Sequence, residues 1–304
     1  MLFFNANFIC YYFYPTRKRE EPNLFHVFVK IDTKQSTAFE AFFRSDRWTM
    51  HIFMTNDDGF ESPGIIEMAK RLARLGRVTV IAPNRGRSSC SSSLSLQTYL
   101  RMWKKESYGE NITVLSCNGT TADCCKLGLE HWLRNDKPDL IVSGMNNGLN
   151  NGSDCLYSGT IAGAMESIFL GIPAIALSAE TVKKPEYLAK AADFAFEVVK
   201  KYFVDSSYKG ILSLNIPKEE EHIGWKDLKI TKLGIQRYDN AIREMKDPSG
   251  HLGFWLSGTM LPDAVPDTDV FWIHRGYPTL TALTWNMTDT DRLAEVKEIA
   301  DTEK

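Results

Sequence analysis

The chain has 304 residues, of which 43% are hydrophobic, and its 36 basic against 38 acidic residues leave a formal net charge of −2. That length supports one large α/β domain or two smaller ones, and the composition excludes disorder, collagen and coiled coil as descriptions of the whole. The near-neutral balance argues against a protein that wraps nucleic acid, and no apolar run approaches the roughly 20 residues needed to span a bilayer.

Residues 1–49 contain no glycine, hold 13 of the 35 aromatic residues and carry a charge of +2; the remaining residues carry −4 and all 20 glycines. Apolar residues precede Arg17, Lys18 and Arg19, the reverse of a secretory signal, and Glu20, Glu21, Asp32, Glu40 and Asp46 do not suit a transit peptide. This segment reads as a dispensable N-terminal extension without an assigned role, or as translation from a start upstream of Met50, with a targeting role as the remaining alternative.

From Met50 onward strand and helix patterns alternate. His51–Thr55 is a short apolar run entering Asn56-Asp57-Asp58-Gly59, a buried strand leading into a loop. Ile65, Met68, Ala69 and Leu72 fall on one helical face, with Gly76 as the expected stop. Arg77–Pro83 predicts a second strand, 84–93 a polar loop, Ile112–Ser116 a third strand and Asp123–Leu133 a helix. Asp139–Gly144 predicts a fourth strand, followed by an Asn/Gly-rich loop over 145–158 and a helix over 159–170. Pro173–Ser178, a helix over 187–203 and Gly210–Pro217 complete the alternation. It predicts an α/β fold: a Rossmann-like three-layer sandwich, its mostly parallel sheet covered on both faces. Beyond Pro217 the β-like segments at 228–234, 253–258 and 279–285, with a closing helix from about Thr290, predict a C-terminal β-rich arm. The expected division is therefore 1–49, 50–217 as catalytic core, and 218–304.

The six cysteines include no C-x-x-C pair and read as reduced thiols of a cytoplasmic protein. Sequons begin at Asn111, Asn118, Asn151 and Asn286 and read as chance matches. The six histidines form no H-x-H or H-E-x-x-H pattern. No G-x-S-x-G elbow supports a serine nucleophile.

In an open parallel sheet, ligands bind outside the carboxyl ends of the strands. Three polar loops fall there, and together they offer Asp57, Asp58, Ser88, Ser89, Asn146, Asn147 and Asn150. Carboxylate, hydroxyl and amide oxygens suit a hard divalent cation, Mg²⁺ or Mn²⁺, whereas zinc prefers His or Cys. A cation also explains why two adjacent carboxylates are tolerated. Ser158 is placed to cap a helix whose first turn holds Gly159 and Thr160, and free N–H groups there favour a phosphate. Arg85 and Arg87 either contact an anionic substrate or lie in a solvated loop.

The strings TNDDGFESPGI, VIAPNRGRSS, CNGTTADC, DLIVSGMNNGLNNGSDCLYSGTIAGAME and LSLNIP stand in the order and spacing of the SurE family of phosphatases. The chain resembles that family from Met50 to about Leu283. The resemblance implies a metal-dependent nucleotidase, a 5′-nucleotidase with 3′ activity as a further option, that hydrolyses nucleoside monophosphates to nucleoside and phosphate. By the same resemblance Asp57, Asp58, Ser88 and Asn146 hold one divalent cation per subunit. Asp57, Asp58 and Asn150 are then the catalytic residues, and Ser158, Gly159 and Thr160 bind the phosphate. Similar proteins are homodimers or homotetramers that exchange C-terminal β arms, with no membrane or nucleic-acid partner. The chain departs from the family pattern at Asn84, usually Asp, and Ser89, usually Gly. Two other classes stay open: a phosphatase forming an aspartyl-phosphate, although the adjacent acids lack D-x-D spacing, and a non-enzymatic nucleotide-binding stress protein on the same scaffold.

Overall fold

Strand β1, Met50–Thr55, is buried beyond its first residue, so it must lie in a sheet covered on both sides. The computed structural model describes residues 9–10, 27–28, 50–182 and 184–302, and it builds that sheet. Successive strand side chains alternate between faces. Ile52 and Met54 therefore join one apolar cluster with Val78, Val80, Val142 and Leu214, while Phe53 joins another with Ile81, Leu115 and Ile141.

Helices cover both clusters. On the first face lie α1, Pro63–Leu72, and, later in the chain, Pro185–Val199, which contribute Ile65, Met68, Leu72, Ala191 and Ala195. On the second lie α2, Thr121–Cys125, continued by a π-helical stretch Lys126–Trp132, and α3, Gly159–Met165, continued by a 3₁₀ stretch Glu166–Leu170. Pro185–Val199 is α4. The three-layer α/β reading is borne out.

The main sheet adds β2, Gly76–Pro83; β3, Met102–Lys104; β4, Ile112–Cys117; β5, Leu140–Asn147; β6, Ala174–Ala179; and β7, Ile211–Ile216. Lys229–Thr231 (β8) and Thr279–Leu283, which becomes β13 in chain order, join it too. The order is β8-β13-β7-β6-β5-β1-β2-β4-β3, with antiparallel pairing at β13/β7 and β4/β3 and parallel pairing elsewhere. The segment after Pro217 thus supplies both a strand at one edge and the strand next to it. Its remaining strands, β9 (Arg237–Asp239), β10 (Ile242–Lys246), β11 (Leu252–Leu256) and β12 (Thr259–Leu261), form two small antiparallel ladders, β9/β12 and β10/β11. Short helix α5, Asp269–Ile273, precedes β13, and α6, Leu293–Asp301, closes the chain.

Two expectations change. Gly76 does not stop α1, which ends in a turn at Ala73; it opens β2, where a Cβ would lie 2.0 Å from the Met50 carbonyl oxygen. Close approach of two backbones, not helix capping, is what requires glycine there. And β5 runs on through Asn146 and Asn147, with a register shift between Ser143 and Asn146 where it pairs with β6. Those two asparagines are strand-end residues, not loop residues.

The chain divides into two units, 1–49 and 50–304. In the first, Ile9–Cys10 and Val27–Phe28 pair antiparallel; the extension read for 1–49 otherwise lies outside the described residues. No helix among the described residues is long and apolar enough to cross a membrane.

Candidate active site

The carboxyl end of β1 is turned by its own side chain. Asn56 donates through Nδ2 to the Gly59 carbonyl and to Ser62 Oγ, both at 2.9 Å, and its Oδ1 accepts the Gly59 N–H at 3.2 Å. Thr121, at the start of α2, donates its hydroxyl to the Asn56 carbonyl at 3.0 Å. This Asn-built turn presents Asp57 and Asp58 at the sheet edge.

Asp57 is 4% exposed, and its Oδ1 accepts the Thr160 hydroxyl at 2.6 Å. Gly159 lies against the same carboxylate: a Cβ there would stand 2.8 Å from Asp57 Cβ and 2.9 Å from Oδ2. Asp58, half-buried, accepts the Asn147 N–H at 2.9 Å. Burial pushes both carboxyls above their usual range; repulsion by Asp58 adds to the shift at Asp57, and the Thr160 and Gly159 donors oppose it.

Among the described residues no Lys, Arg or His forms an ion pair with either carboxylate, and no group of three or more His, Cys, Asp or Glu side chains gathers as a metal cage. Two desolvated carboxylates without a cationic side chain are a donor pair that a hard divalent ion fits. Asn146 adds to that fit. Its Nδ2 donates to the Gly148 carbonyl at 2.9 Å, so the amide nitrogen is engaged and Oδ1 is the acceptor left to offer.

The 84–93 loop reaches the pair through backbone. Arg87 N–H donates to the Asp57 carbonyl at 2.7 Å, and Arg87 Nη2 donates to the Asn118 carbonyl at 2.7 Å. Of the two options read for Arg87, its guanidinium is tied to the protein; Arg85 is exposed. Ser88, the next residue, is exposed beside that junction.

Ser158, Gly159 and Thr160 are buried. Ser158 Oγ accepts the Ile161 N–H at 3.1 Å, capping α3 as the sequence predicts, and the Thr160 hydroxyl is given to Asp57. Two of the three residues read as a phosphate seat, Gly159 and Thr160, are thus also the ones that grip the first aspartate. Asn150 stands apart: among the described residues no hydrogen bond joins it to Asp57 or Asp58. It is bonded to Ser178 and Asn215 at the ends of β6 and β7.

Sequence reading missed Asn56 as the turn builder, Thr160 as the partner of Asp57, and Asn215. A polar residue at the carboxyl end of an apolar strand was the available signal for the first and the last.

Comparison with known proteins sets this geometry in a family. The family described as "Survival protein SurE" matches residues 52–240. The protein named "5'-nucleotidase SurE" of Alkaliphilus metalliredigens is 36% identical over 252 residues, covering 82% of this chain and 98% of the relative. Its namesake from Alkalilimnicola ehrlichii is 37% identical over 251 residues, covering 81% and 94%. The crystal structure of the SurE protein from Aquifex aeolicus superposes with a TM-score of 0.70 at 34% identity, over 83% of this chain and all of that one.

Proposed function

The chain belongs to the SurE family, and from that premise we propose that it is a nucleotidase, a 5′-nucleotidase, hydrolysing nucleoside monophosphates to nucleoside and phosphate. The observation that carries the reading is the pair of buried Asp57 and half-buried Asp58, held by Thr160 and by the Asn147 N–H without a cationic side chain.

Asp57, Asp58, Ser88 and Asn146 would hold one divalent cation, Mg²⁺ or Mn²⁺. Bound there, it would supply Lewis-acid stabilisation of charge on the phosphoryl oxygens. The chain's own groups do the rest. Asp58 is the less buried carboxylate, with a single backbone donor, and is the better placed of the two to take the proton of the attacking water. Asp57, enclosed by Gly159 and Thr160, is the fixed member. The first turn of α3 at Ser158, Gly159 and Thr160 would receive the phosphate, with Ser158 capping that turn, while the Gly159 N–H and the Thr160 hydroxyl also serve Asp57. Asn150 donates its remaining amide hydrogen to the same phosphate. Water adds to phosphorus as Asp58 takes its proton, the ester O–P bond breaks, and the leaving nucleoside oxygen takes a proton from bulk water, to which Asp58 returns its own.

Residues 50–217 form the catalytic core in this reading, and 218–304 serve association. The β10/β11 hairpin carries Ile242, Phe254 and Leu256 on one face, Leu256 at 82% exposure, an apolar surface that supports a homodimer or homotetramer. The described cysteines, Cys90, Cys117, Cys124, Cys125 and Cys155, are free thiols, which supports a reducing, cytoplasmic setting.

The test is phosphate release from a panel of nucleoside monophosphates with Mg²⁺, Mn²⁺ or chelator. Release with metal and none in chelator is expected; no release from any nucleotide with any metal overturns the reading.

A further inference from the structure

Asn215 is the penultimate residue of β7 and is 1% exposed, yet it spends its side chain on a loop residue 65 positions away. Its Oδ1 accepts the Asn150 N–H at 2.8 Å, and its Nδ2 donates to the Asn150 carbonyl at 3.0 Å. A carboxamide carries donor and acceptor side by side, so it does for Asn150 what a neighbouring strand does for a strand residue. The ladder of the sheet is thereby continued by one side chain past the end of its strands.

Asn150 is fixed from a second direction. Its own Nδ2 donates to Ser178 Oγ at 2.8 Å, and Ser178 is the register partner of Asn215 on β6. Cys155 Sγ donates to the same Asn150 carbonyl at 3.4 Å. The flanking stretch, Gly148-Leu149-Asn150-Asn151-Gly152, has positive φ at both glycines and little intrinsic stiffness. Without these bonds the Asn150 carboxamide would have no defined direction.

We infer that Asn215 is a positioning residue of the site: through its paired bonds to the Asn150 backbone, with Ser178 beneath, it aims the Asn150 carboxamide at the substrate phosphate. This rests on the nucleotidase reading for the identity of the phosphate. Asn215 itself touches neither substrate nor the acid pair. Its loss should therefore spare the metal-binding carboxylates and weaken only the hold on phosphate.

The experiment compares the native chain with Asn215→Ala and Asn215→Asp in three measurements: Mn²⁺ affinity, inorganic phosphate affinity of the Mn²⁺-loaded protein, and AMP turnover. Asn215→Ala should keep Mn²⁺ affinity within about twofold while phosphate affinity and kcat/KM fall about 10–100-fold. In Asn215→Asp the introduced carboxyl reproduces both bonds when protonated and loses its donor when ionised. Its activity relative to the native chain should therefore be higher at pH 5 than at pH 8. Native phosphate affinity and turnover in folded Asn215→Ala overturn the inference, as does a parallel loss of Mn²⁺ affinity. If Asn215→Ala does not fold, a flat ratio between pH 5 and pH 8 for Asn215→Asp overturns it. A native chain that binds phosphate in an Asn215-dependent way but releases none from AMP retains this inference and rejects the nucleotidase. A native chain that binds no phosphate rejects the inference itself.

Discussion

Thr160 gives its hydroxyl to Oδ1 of Asp57 at 2.6 Å, joining the first turn of α3 to the end of β1 across 103 positions of chain. Both residues are buried, so the bond is shielded from water, and it opposes the desolvation that pushes the Asp57 carboxyl upward. Replacing Thr160 by Val keeps the shape and leaves a buried carboxylate oxygen short of a donor, a cost of about 1–3 kcal/mol. Thr160→Val is expected to weaken Mn²⁺ binding about 10–100-fold by calorimetry. Thr160→Ser, which retains the hydroxyl, should bind as the native chain does; equal weakening in both variants would show that the methyl group matters and not the bond.

Gly159 is where the same carboxylate has no room for a side chain. With Asp57 Cβ and Oδ2 at 2.8 and 2.9 Å from a would-be Cβ, Gly159→Ala must displace Asp57 or the start of α3. Overpacking of this kind costs about 1–3 kcal/mol. The expected result is a chain that still melts cooperatively but hydrolyses AMP at least tenfold more slowly, read in a coupled phosphate assay.

Asp57→Asn and Asp58→Asn each remove half of the charge proposed to hold the cation. Each should abolish phosphate release while leaving the circular dichroism spectrum unchanged. Full activity in both variants, or in the native chain with excess chelator, would refute the metal-dependent reading.

His51 supplies a pH test far from that chemistry. It is buried at the start of β1, its Nε2 lies 3.0 Å from Thr79 Oγ1, and Arg77, Asp136 and Asp139 stand around it. Burial, with the Arg77 charge, lowers its pKa below 6.5, partly offset by the two aspartates. The native state therefore binds fewer protons than the unfolded chain just below 6.5. Its stability is full above that value and falls as the pH drops toward the folded-state pKa. Urea midpoints should accordingly decline on going from pH 7.5 to pH 5, and His51→Gln should flatten part of that decline. An identical slope in both proteins would rule His51 out as its source.

The β10/β11 hairpin makes its own prediction. Charges placed on its apolar face by Phe254→Glu with Leu256→Glu should shift the sedimenting species from an oligomer toward monomer without loss of the core fold. A native chain that sediments as monomer would remove the association role from residues 218–304.

Much of the core was legible because burial writes itself into local periods. The apolar run of β1 and the spacing of Ile65, Met68, Ala69 and Leu72 each name an element without reference to the rest of the chain. The loop after β1 and the Ser158 cap were legible for the same reason, since turn residues and caps act within a few positions. Edge strand β3 was not. Its burial is slight, and it is a strand only because Trp103 and its neighbours lie opposite Ser116 in β4. The small strands β9 and β12 likewise exist only as partners of one another.

The 255 residues that hold every glycine determine by themselves an α/β sandwich with three polar loops at strand ends, because strand and helix periods and turn chemistry are local. Tertiary structure alone decided what those loops do to one another. Thr160 grips Asp57, Asn147 lends its N–H to Asp58, Arg87 spends its backbone and guanidinium on the scaffold, and Asn215 pins Asn150. No spacing encodes these pairings. They follow from the order β7-β6-β5-β1 in the sheet, which brings strand ends distant in sequence into hydrogen-bonding range.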